Sequence, residues 1–216
     1  MPDAGASGTI RVLVVDDHQM FAESLARALS ADDDIETVAI VGGIDGAVAA
    51  AAEHAPDVAI IDFHLGDESG IEATQRVTSV SPSTRVLMLT GLATEQVLIA
   101  AIDAGCSGFI TKDNAVIELA HAVRLIHSGE SYVTPHMLAT LLPRLGHAPR
   151  GAGENLTRRE REVLGLMAEG LTNHAIAERM QLSVHTVRGH VQNTLTKLHA
   201  HSKLEAVVVA RRENLI

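Results

Sequence analysis

Several short apolar segments in the first half of the chain end in side chains that could do chemistry. Asp62 ends the run Val58-Ala-Ile-Ile, and Asp16 with Asp17 follows another such run. Clustered carboxylates repel one another and therefore need a cation. Ligation by two or three carboxylates and water suits Mg²⁺, and a carboxylate beside this ion can attack a phosphoryl group. These residue types indicate Mg²⁺-dependent phosphoryl chemistry if the fold brings them together.

A hydroxyl and an ammonium group stand at the ends of two further apolar segments. Thr90 ends the fourth segment, and Lys112 follows the fifth. Both groups can stabilise charged phosphoryl oxygens. Taken singly, each residue has an ordinary explanation, such as a helix cap or a surface charge. Their joint occurrence at successive segment ends favours a site.

The apolar segments alternate with segments of helical spacing over about 120 residues. Strands are predicted at 10–15, 35–41, 58–62, 85–90 and 106–110, and helices at 21–29, 48–52, 71–80, 94–104 and 114–127. This alternation predicts an α/β domain with a doubly wound parallel sheet. Chemistry in such a sheet sits at the carboxyl ends of the strands, where the polar residues fall. The order of the strands does not follow from periodicity.

The charge of the chain is distributed unevenly, although its total is −10. Residues 1–130 hold 6 Lys/Arg and 20 Asp/Glu, whereas residues 154–216 hold 9 and 7. An acidic first part and a mildly basic last part predict two domains with different partners. The basic part could approach phosphates.

Residues 129–153 change in character, since they are rich in Pro and Gly and read as a linker with a possible short helix at 137–142. Helices are then predicted from Thr157, Thr172, Ser183 and Ser202, in a small all-α domain over 154–216. Thr157 with Glu160, and Ser202 with Glu205, have the spacing of capping boxes.

Two of these helices, joined by a tight turn at 181–182, have the layout of a helix-turn-helix. The second helix carries an apolar stripe made of Val184, Val187, Val191, Leu195 and Leu198. Its opposite face carries His185, Arg188 and Gln192, which could enter a major groove together. Asn173, Thr186 and Lys203 are candidates for phosphate contacts. A solvated charge is the ordinary alternative for Arg188.

The segments Val-Val-Asp16-Asp17, Ile-Ile-Asp62, Leu-Thr90-Gly91 and Gly108-Phe-Ile-Thr-Lys112 resemble the receiver domain of two-component response regulators. The resemblance covers residues 9–128. It implies that Asp62 accepts phosphate from a sensor histidine kinase and that Lys112 pairs with this phosphate. It implies a Mg²⁺ site made of Asp16, Asp17, Asp62 and the main-chain carbonyl of His64, and a switch pair in which Thr90 turns toward the phosphate and Phe109 moves inward.

One position departs from the receiver pattern. The family usually has Pro four residues after the acceptor, where this chain has Gly66. A more mobile loop there, and the side chain of His64, could affect the lifetime of the phosphate.

Residues 154–213 are similar to the LuxR-type helix-turn-helix, through Leu156-Thr-Arg-Arg-Glu160, Gly170-Leu-Thr-Asn173 and Ser183-Val-His-Thr-Val-Arg188. A receiver followed by this domain is the layout of the NarL/FixJ subfamily. The resemblance implies a transcription regulator, not an enzyme, that binds double-stranded DNA as a homodimer when active. It also implies that part of the last helix, with Leu204, Val207, Val208 and Val209, forms the dimer contact.

Three alternatives remain open from the residues alone. A Mg²⁺-dependent phosphohydrolase with an Asp nucleophile commonly has a second acid where His64 stands, and would leave the helix-turn-helix unexplained. A regulator that senses a small apolar ligand fits poorly with four aromatic residues and an acidic site. A DNA-binding regulator that ignores phosphate is the third. The first residues are not expected to form a secretory signal, no apolar run reaches membrane-spanning length, and the single Cys106 fits a reducing compartment, so a cytoplasmic location is expected. No membrane partner is therefore expected.

Overall fold

A computed structural model of the chain describes residues 9–91, 94–133, 137 and 155–216. The first part contains β1 Ile10–Val15, α1 Gln19–Leu29, β2 Ile35–Val41, α2 Ile44–His54, β3 Val58–Asp62, β4 His64–Leu65, β5 Glu68–Ser69, α3 Gly70–Val80, β6 Arg85–Thr90, α4 Glu95–Asp103, β7 Cys106–Thr111 and α5 Lys112–His127. The second part contains α6 Arg158–Ala168, α7 Asn173–Met180, α8 Val184–Leu198 and α9 Lys203–Arg212. No helix in these described ranges is both long and apolar enough to cross a bilayer.

The five long strands form one parallel sheet in the order β2-β1-β3-β6-β7. The central strands are buried on both faces because helices cover the sheet on each side, so they are continuously apolar. One apolar cluster packs β1, β3 and β6 against α2, α3 and α4, and the other packs them against α1 and α5. The predicted α/β fold is confirmed, with helices α1, α2 and α5 starting two to four residues earlier than predicted.

The sequence did not predict the hairpin of β4 and β5, which follows Asp62 directly. Each of its strands has two residues, too few to give a period. The segment 129–133 is also more ordered than a linker, because the main-chain N–H of Phe109 on β7 donates to Tyr132 at 2.7 Å. The short helix predicted at 137–142 lies outside the described residues, except for Met137.

The second part is a small helical unit with its own apolar core. Capping side chains start its helices as predicted at Thr157, Thr172 and Ser183. The predicted capping box of Ser202 is half wrong: Ser202 accepts from the N–H of Glu205, but the Glu205 carboxylate accepts from the N–H of His201 at 2.6 Å. The carboxylate therefore accepts from the main-chain N–H of His201 and not, as a capping box requires, from that of Ser202.

Gly70 allows α3 to begin against the main chain of the candidate acceptor. A Cβ atom built on Gly70 would lie 2.1 Å from the carbonyl oxygen of Asp62. We expect Gly70→Ala to lower the free energy of unfolding by about 1–3 kcal/mol, because the backbone must move to remove the overlap. Urea unfolding measures this change. Gly165→Ala is the control, since its added Cβ meets no atom within 4 Å. Equal stability of both variants would contradict this role for Gly70.

Candidate functional site

Three charged side chains meet at the carboxyl ends of the parallel strands. Asp62 ends β3 and Asp16 follows β1, and each residue is only 2% exposed. Nζ of Lys112 lies 2.7 Å from Oδ2 of Asp62 and 2.9 Å from Oδ2 of Asp16. The structure therefore brings together the acids of two neighbouring strands and the lysine that follows β7.

Burial and charge set the titration of this group. Burial raises the pKa of Asp62, an effect that the hydrogen bond from Lys112 opposes and the charge of Asp16 reinforces. Burial works against the charge of Lys112, but the hydrogen bonds to Asp62 and Asp16 raise its pKa. Lys112 is therefore a fixed positive charge beside the Asp62 oxygen that would attack.

The same edge of the sheet holds a group of possible metal ligands. One ligand atom from each of Asp16, Asp17, His18 and Asp62 lies within 4.8 Å of the others. The three carboxylates are the hard oxygen donors that Mg²⁺ prefers, and Asp17 is exposed enough to leave room for water ligands. The residues fit this ion. A role for the main-chain carbonyl of His64 stays a prediction, and the side chain of His64 is exposed.

His18 is a neighbour that the sequence did not single out. Its Nδ1 atom lies 3.0 Å from Oδ1 of Asp17, and its main-chain N–H donates to Oδ1 of Asp16 at 2.8 Å. The only signal was its position directly after the two acids.

The loop after Asp62 turns at Gly66, where the family usually has Pro. Gly66 has φ +62°, and a Cβ on it would lie 3.8 Å from Oδ2 of Asp17. Proline fixes φ near −65° and cannot adopt this conformation. The departure from the family pattern therefore gives this loop a different backbone path beside the acids.

The two residues of the expected switch pair are both inside the fold. Thr90 ends β6 with 2% exposure, and Phe109 on β7 is completely buried. The Phe109 side chain is already inside the fold in this structure. The inward movement that the resemblance implies would therefore start from a buried position.

The predicted DNA-reading helix is α8. Its apolar stripe packs as predicted, with Val187, Val191 and Leu198 buried in the core of the helical unit. His185 and Thr186 on the outer side are exposed. The hydroxyl of Thr186 lies 2.8 Å from that of Ser183.

A buried acid fixes α8 against α6. Glu160 is 3% exposed, accepts from the main-chain N–H of Thr157 at 2.7 Å, and binds Nζ of Lys197 at 2.7 Å. Burial opposes the charge of Glu160, but the hydrogen bonds from Lys197 and Thr157 lower its pKa.

We expect Glu160→Gln to destabilise the helical unit by about 1–3 kcal/mol, because charge-assisted hydrogen bonds are lost. The folded pKa lies below the unfolded pKa, so the contribution is present above the unfolded pKa. It is lost as the pH falls through the folded pKa. Chemical unfolding of parent and variant at neutral and acid pH measures both effects. Glu162→Gln, an exposed i,i+3 partner of Arg159, should change stability by less than about 0.5 kcal/mol. A Glu160→Gln effect that persists at low pH would contradict this assignment.

The face of α8 that is predicted to read DNA is turned toward the first domain of the same chain. Arg188 and Gln192 line a polar cleft of about 530 Å³, whose other wall includes Asp57 and Arg85. Burial lowers the pKa of Arg85, Asp57 opposes this, and the positive charge of Arg188 lowers it further. Arg188 is thus close enough to the receiver for the two guanidinium groups to repel each other.

Two of the predicted phosphate-contacting residues are buried at the interface between the two domains, which we call the joint. Asn173 is 3% and Lys203 7% exposed. Glu130, which follows α5, binds both of them: Oε1 accepts from the main-chain N–H of Asn173 at 2.6 Å, and Oε2 lies 2.7 Å from Nζ of Lys203. Burial lowers the pKa of Lys203, while Glu130 opposes this. In this arrangement neither residue can reach a DNA phosphate.

Helix α9 also packs on the receiver. Leu204 and Val208 belong to the same apolar cluster as β7 and α4. The hydroxyl of Ser202 donates to the carbonyl of Cys106 at 2.9 Å, and Arg212 pairs with Asp103 at 2.9 Å. Of the four apolar residues that the sequence assigned to a dimer contact, Leu204 and Val208 are covered here by the receiver, whereas Val207 and Val209 pack against the core of the helical unit.

Comparison with known proteins gives a consistent result. Residues 12–124 match the family model described as the response regulator receiver domain, and residues 154–210 match bacterial regulatory proteins of the luxR family. The chain is 37% identical over 207 residues to the DNA-binding transcriptional activator DevR/DosR of Mycobacterium tuberculosis, covering 93% of this chain and 94% of that protein. It is 36% identical over 208 residues to the response regulator protein VraR of Staphylococcus aureus, covering 96% and 99%. A LuxR-family two-component response regulator from Aurantimonas superposes with a TM-score of 0.59 at 28% identity, covering 62% of this chain and 96% of that one.

Proposed function

The chain is a two-component response regulator with a receiver domain and a LuxR-type DNA-binding domain, and from this premise we propose how it works. A sensor histidine kinase phosphorylates Asp62, with Mg²⁺ bound at Asp16, Asp17 and Asp62. The phosphate then controls binding to double-stranded DNA and so regulates transcription. The proposed domains are a receiver at 9–128, a connecting segment at 129–153 whose residues 129–133 pack on the receiver, and a DNA-binding domain at 154–216.

The observation that carries this proposal is the geometry around Asp62. Oδ2 of the buried Asp62 carboxylate lies 2.7 Å from Nζ of Lys112, and two further acids lie beside it. Helix α3 begins at Gly70, against the main chain of Asp62. Mg²⁺ bound there would neutralise charge on the phosphoryl oxygens. Oδ of Asp62 is then the attacking atom, and Lys112 and the hydroxyl of Thr90 stabilise the transferred group.

The phosphate site and the domain joint are connected by β7. The carboxyl end of this strand leads into Lys112, and Cys106 at its other end accepts from Ser202 of α9. Phosphate that draws Lys112 and Thr90 toward it strains this arrangement. In the open form the two domains are apart. If phosphate favours this form, it shifts the population toward it, and such a shift is thermodynamically sufficient to control DNA binding.

Separation of the two domains frees the residues that would bind DNA from the receiver. Arg188 and Gln192, which are already exposed, would leave the cleft and read base edges together with His185. Asn173 and Lys203 would be uncovered and would contact phosphates together with Thr186, which is already exposed. The freed face of α9, with Leu204 and Val208, would then be free to form a homodimer, whose two copies bind paired half-sites.

Intact mass after incubation with acetyl phosphate and Mg²⁺ tests the proposal. We expect one added phosphoryl group, and none when a chelator removes the Mg²⁺. A chain that binds neither acetyl phosphate nor beryllofluoride but still binds DNA would instead be a phosphorylation-independent regulator. Steady release of inorganic phosphate over many turnovers would indicate the phosphohydrolase alternative.

A further inference from the structure

The interface between the two domains holds a second, mostly apolar cavity of about 200 Å³, which is partly open to solvent. Its walls come from both domains, with Leu125 and Val133 on the receiver side and Met167, Leu171, Leu204 and Val207 on the other. It is separate from the acidic phosphate site. Of the residues assigned to DNA contact, only Lys203 lines it.

Two hydrogen-bond donors at this cavity have capacity to spare. Oγ of Ser131 is buried and has no hydrogen-bond partner among the described residues. Nζ of Lys203 has three N–H groups, and its acceptors are Glu130 at 2.7 Å and the carbonyl of Leu171 at 3.4 Å. Ser131 and Lys203 both line the cavity, but Oγ of Ser131 has almost no accessible surface, so the Ser131 side chain must rotate before an acceptor inside the cavity can serve both.

Size and charge define the kind of molecule that fits. A cavity of about 150 Å³ lined by apolar side chains holds benzene, so one of about 200 Å³ has room for roughly eight or nine non-hydrogen atoms. Glu130 already neutralises Lys203, and a carboxylate would bring an uncompensated charge into an apolar place. An uncharged acceptor such as a carbonyl satisfies the donors without this cost.

We propose that the cavity binds a small, uncharged, mostly apolar molecule of the size of a monocyclic aromatic ketone, whose carbonyl oxygen accepts from Ser131 and Lys203. Because the cavity needs walls from both domains, the molecule binds the closed form and opposes release of α8. This consequence, though not the binding itself, rests on the proposed function. At ten times its dissociation constant, the ligand would favour the closed form by about tenfold.

Acetophenone is the probe, and ethylbenzene, which has a similar shape but no acceptor, is its comparison. We expect saturable one-site binding of acetophenone to the full chain by saturation-transfer NMR and calorimetry, with ethylbenzene binding about tenfold more weakly. Ser131→Ala should remove most of this difference. Ala168→Leu, which places extra atoms in the cavity, should abolish binding of both molecules, whereas Ala52→Leu on the exposed face of α2 should not.

Val207→Phe fills the cavity from a second helix of the same domain, α9, and replaces Ala168→Leu if the latter fails to fold. Absence of saturable binding, or binding that survives a folded cavity-filling variant, would overturn the proposal. Phosphate incorporation at Asp62, measured by intact mass, needs no cavity ligand. A failure of the ligand site and a failure of the phosphate switch are therefore told apart by two separate measurements.

Discussion

Replacing Asp62 with Asn is expected to abolish phosphate incorporation and every gain in DNA affinity that depends on phosphate. Asn keeps the shape and the polar contacts but lacks the nucleophilic carboxylate. Coupling between two sites commonly changes affinity by about 5–150-fold, and the variant should lose all of it. Intact mass and fluorescence anisotropy on a duplex selected from a random-sequence pool measure the two effects.

Asp67→Asn is the matched control, because Asp67 is an exposed acid in the loop directly after the site. It should accept phosphate and respond to it like the parent chain. Phosphate incorporation that persists in the Asp62→Asn variant would show that another side chain is the acceptor.

Glu130→Ala should bind DNA more tightly than the parent without any phosphate, by about 10–100-fold, up to the limit set by the coupling. Glu130 is the one described acid that binds both Asn173 and Lys203 at the joint. Removing one partner of a buried ion pair costs about 3–5 kcal/mol, because the other charge is left unpaired. Opening the joint returns Lys203 to water, so the open form gains population. Anisotropy on the unphosphorylated chain measures this gain.

The ion pair between Asp103 and Arg212 provides the control at the same joint. It also crosses between the domains, but both side chains are partly exposed. Such a pair contributes about 0–1 kcal/mol, so Asp103→Ala should raise DNA affinity severalfold at most. Equal effects of the two variants, or no effect of Glu130→Ala, would show that this joint does not restrain DNA binding.

The receiver fold was predictable because its central strands are buried on both faces and therefore read as nearly unbroken apolar runs. All five strands of the sheet were predicted close to their observed bounds. The strand order was not, because a period carries no information on which strands are neighbours. The hairpin after Asp62 was missed since its turn depends on Gly66 with φ +62° rather than on a pattern.

The acidic site was predictable for a related reason. Strand ends meet at one edge of a parallel sheet, so Asp16, Asp62 and Lys112 could be placed together from their positions alone. The joint between the domains could not be predicted. Surplus apolar residues on α9 need a partner surface, but the sequence does not say whether that surface is a second copy or the receiver. Glu130 gave no signal beyond being an acid just after α5.

The most direct measurement is the distance between the two domains with and without a phosphate mimic. Spin labels on cysteines introduced at Glu53 and Asn193, both exposed, report this distance by pulsed electron resonance. Cys106 does not interfere, because it is completely buried and burial raises the pKa of its thiol to about 12. We expect one narrow distribution for the unphosphorylated chain, and a longer, broader one with Mg²⁺ and beryllofluoride. An unchanged distribution in a chain that has bound beryllofluoride would contradict control of DNA binding by release of the joint.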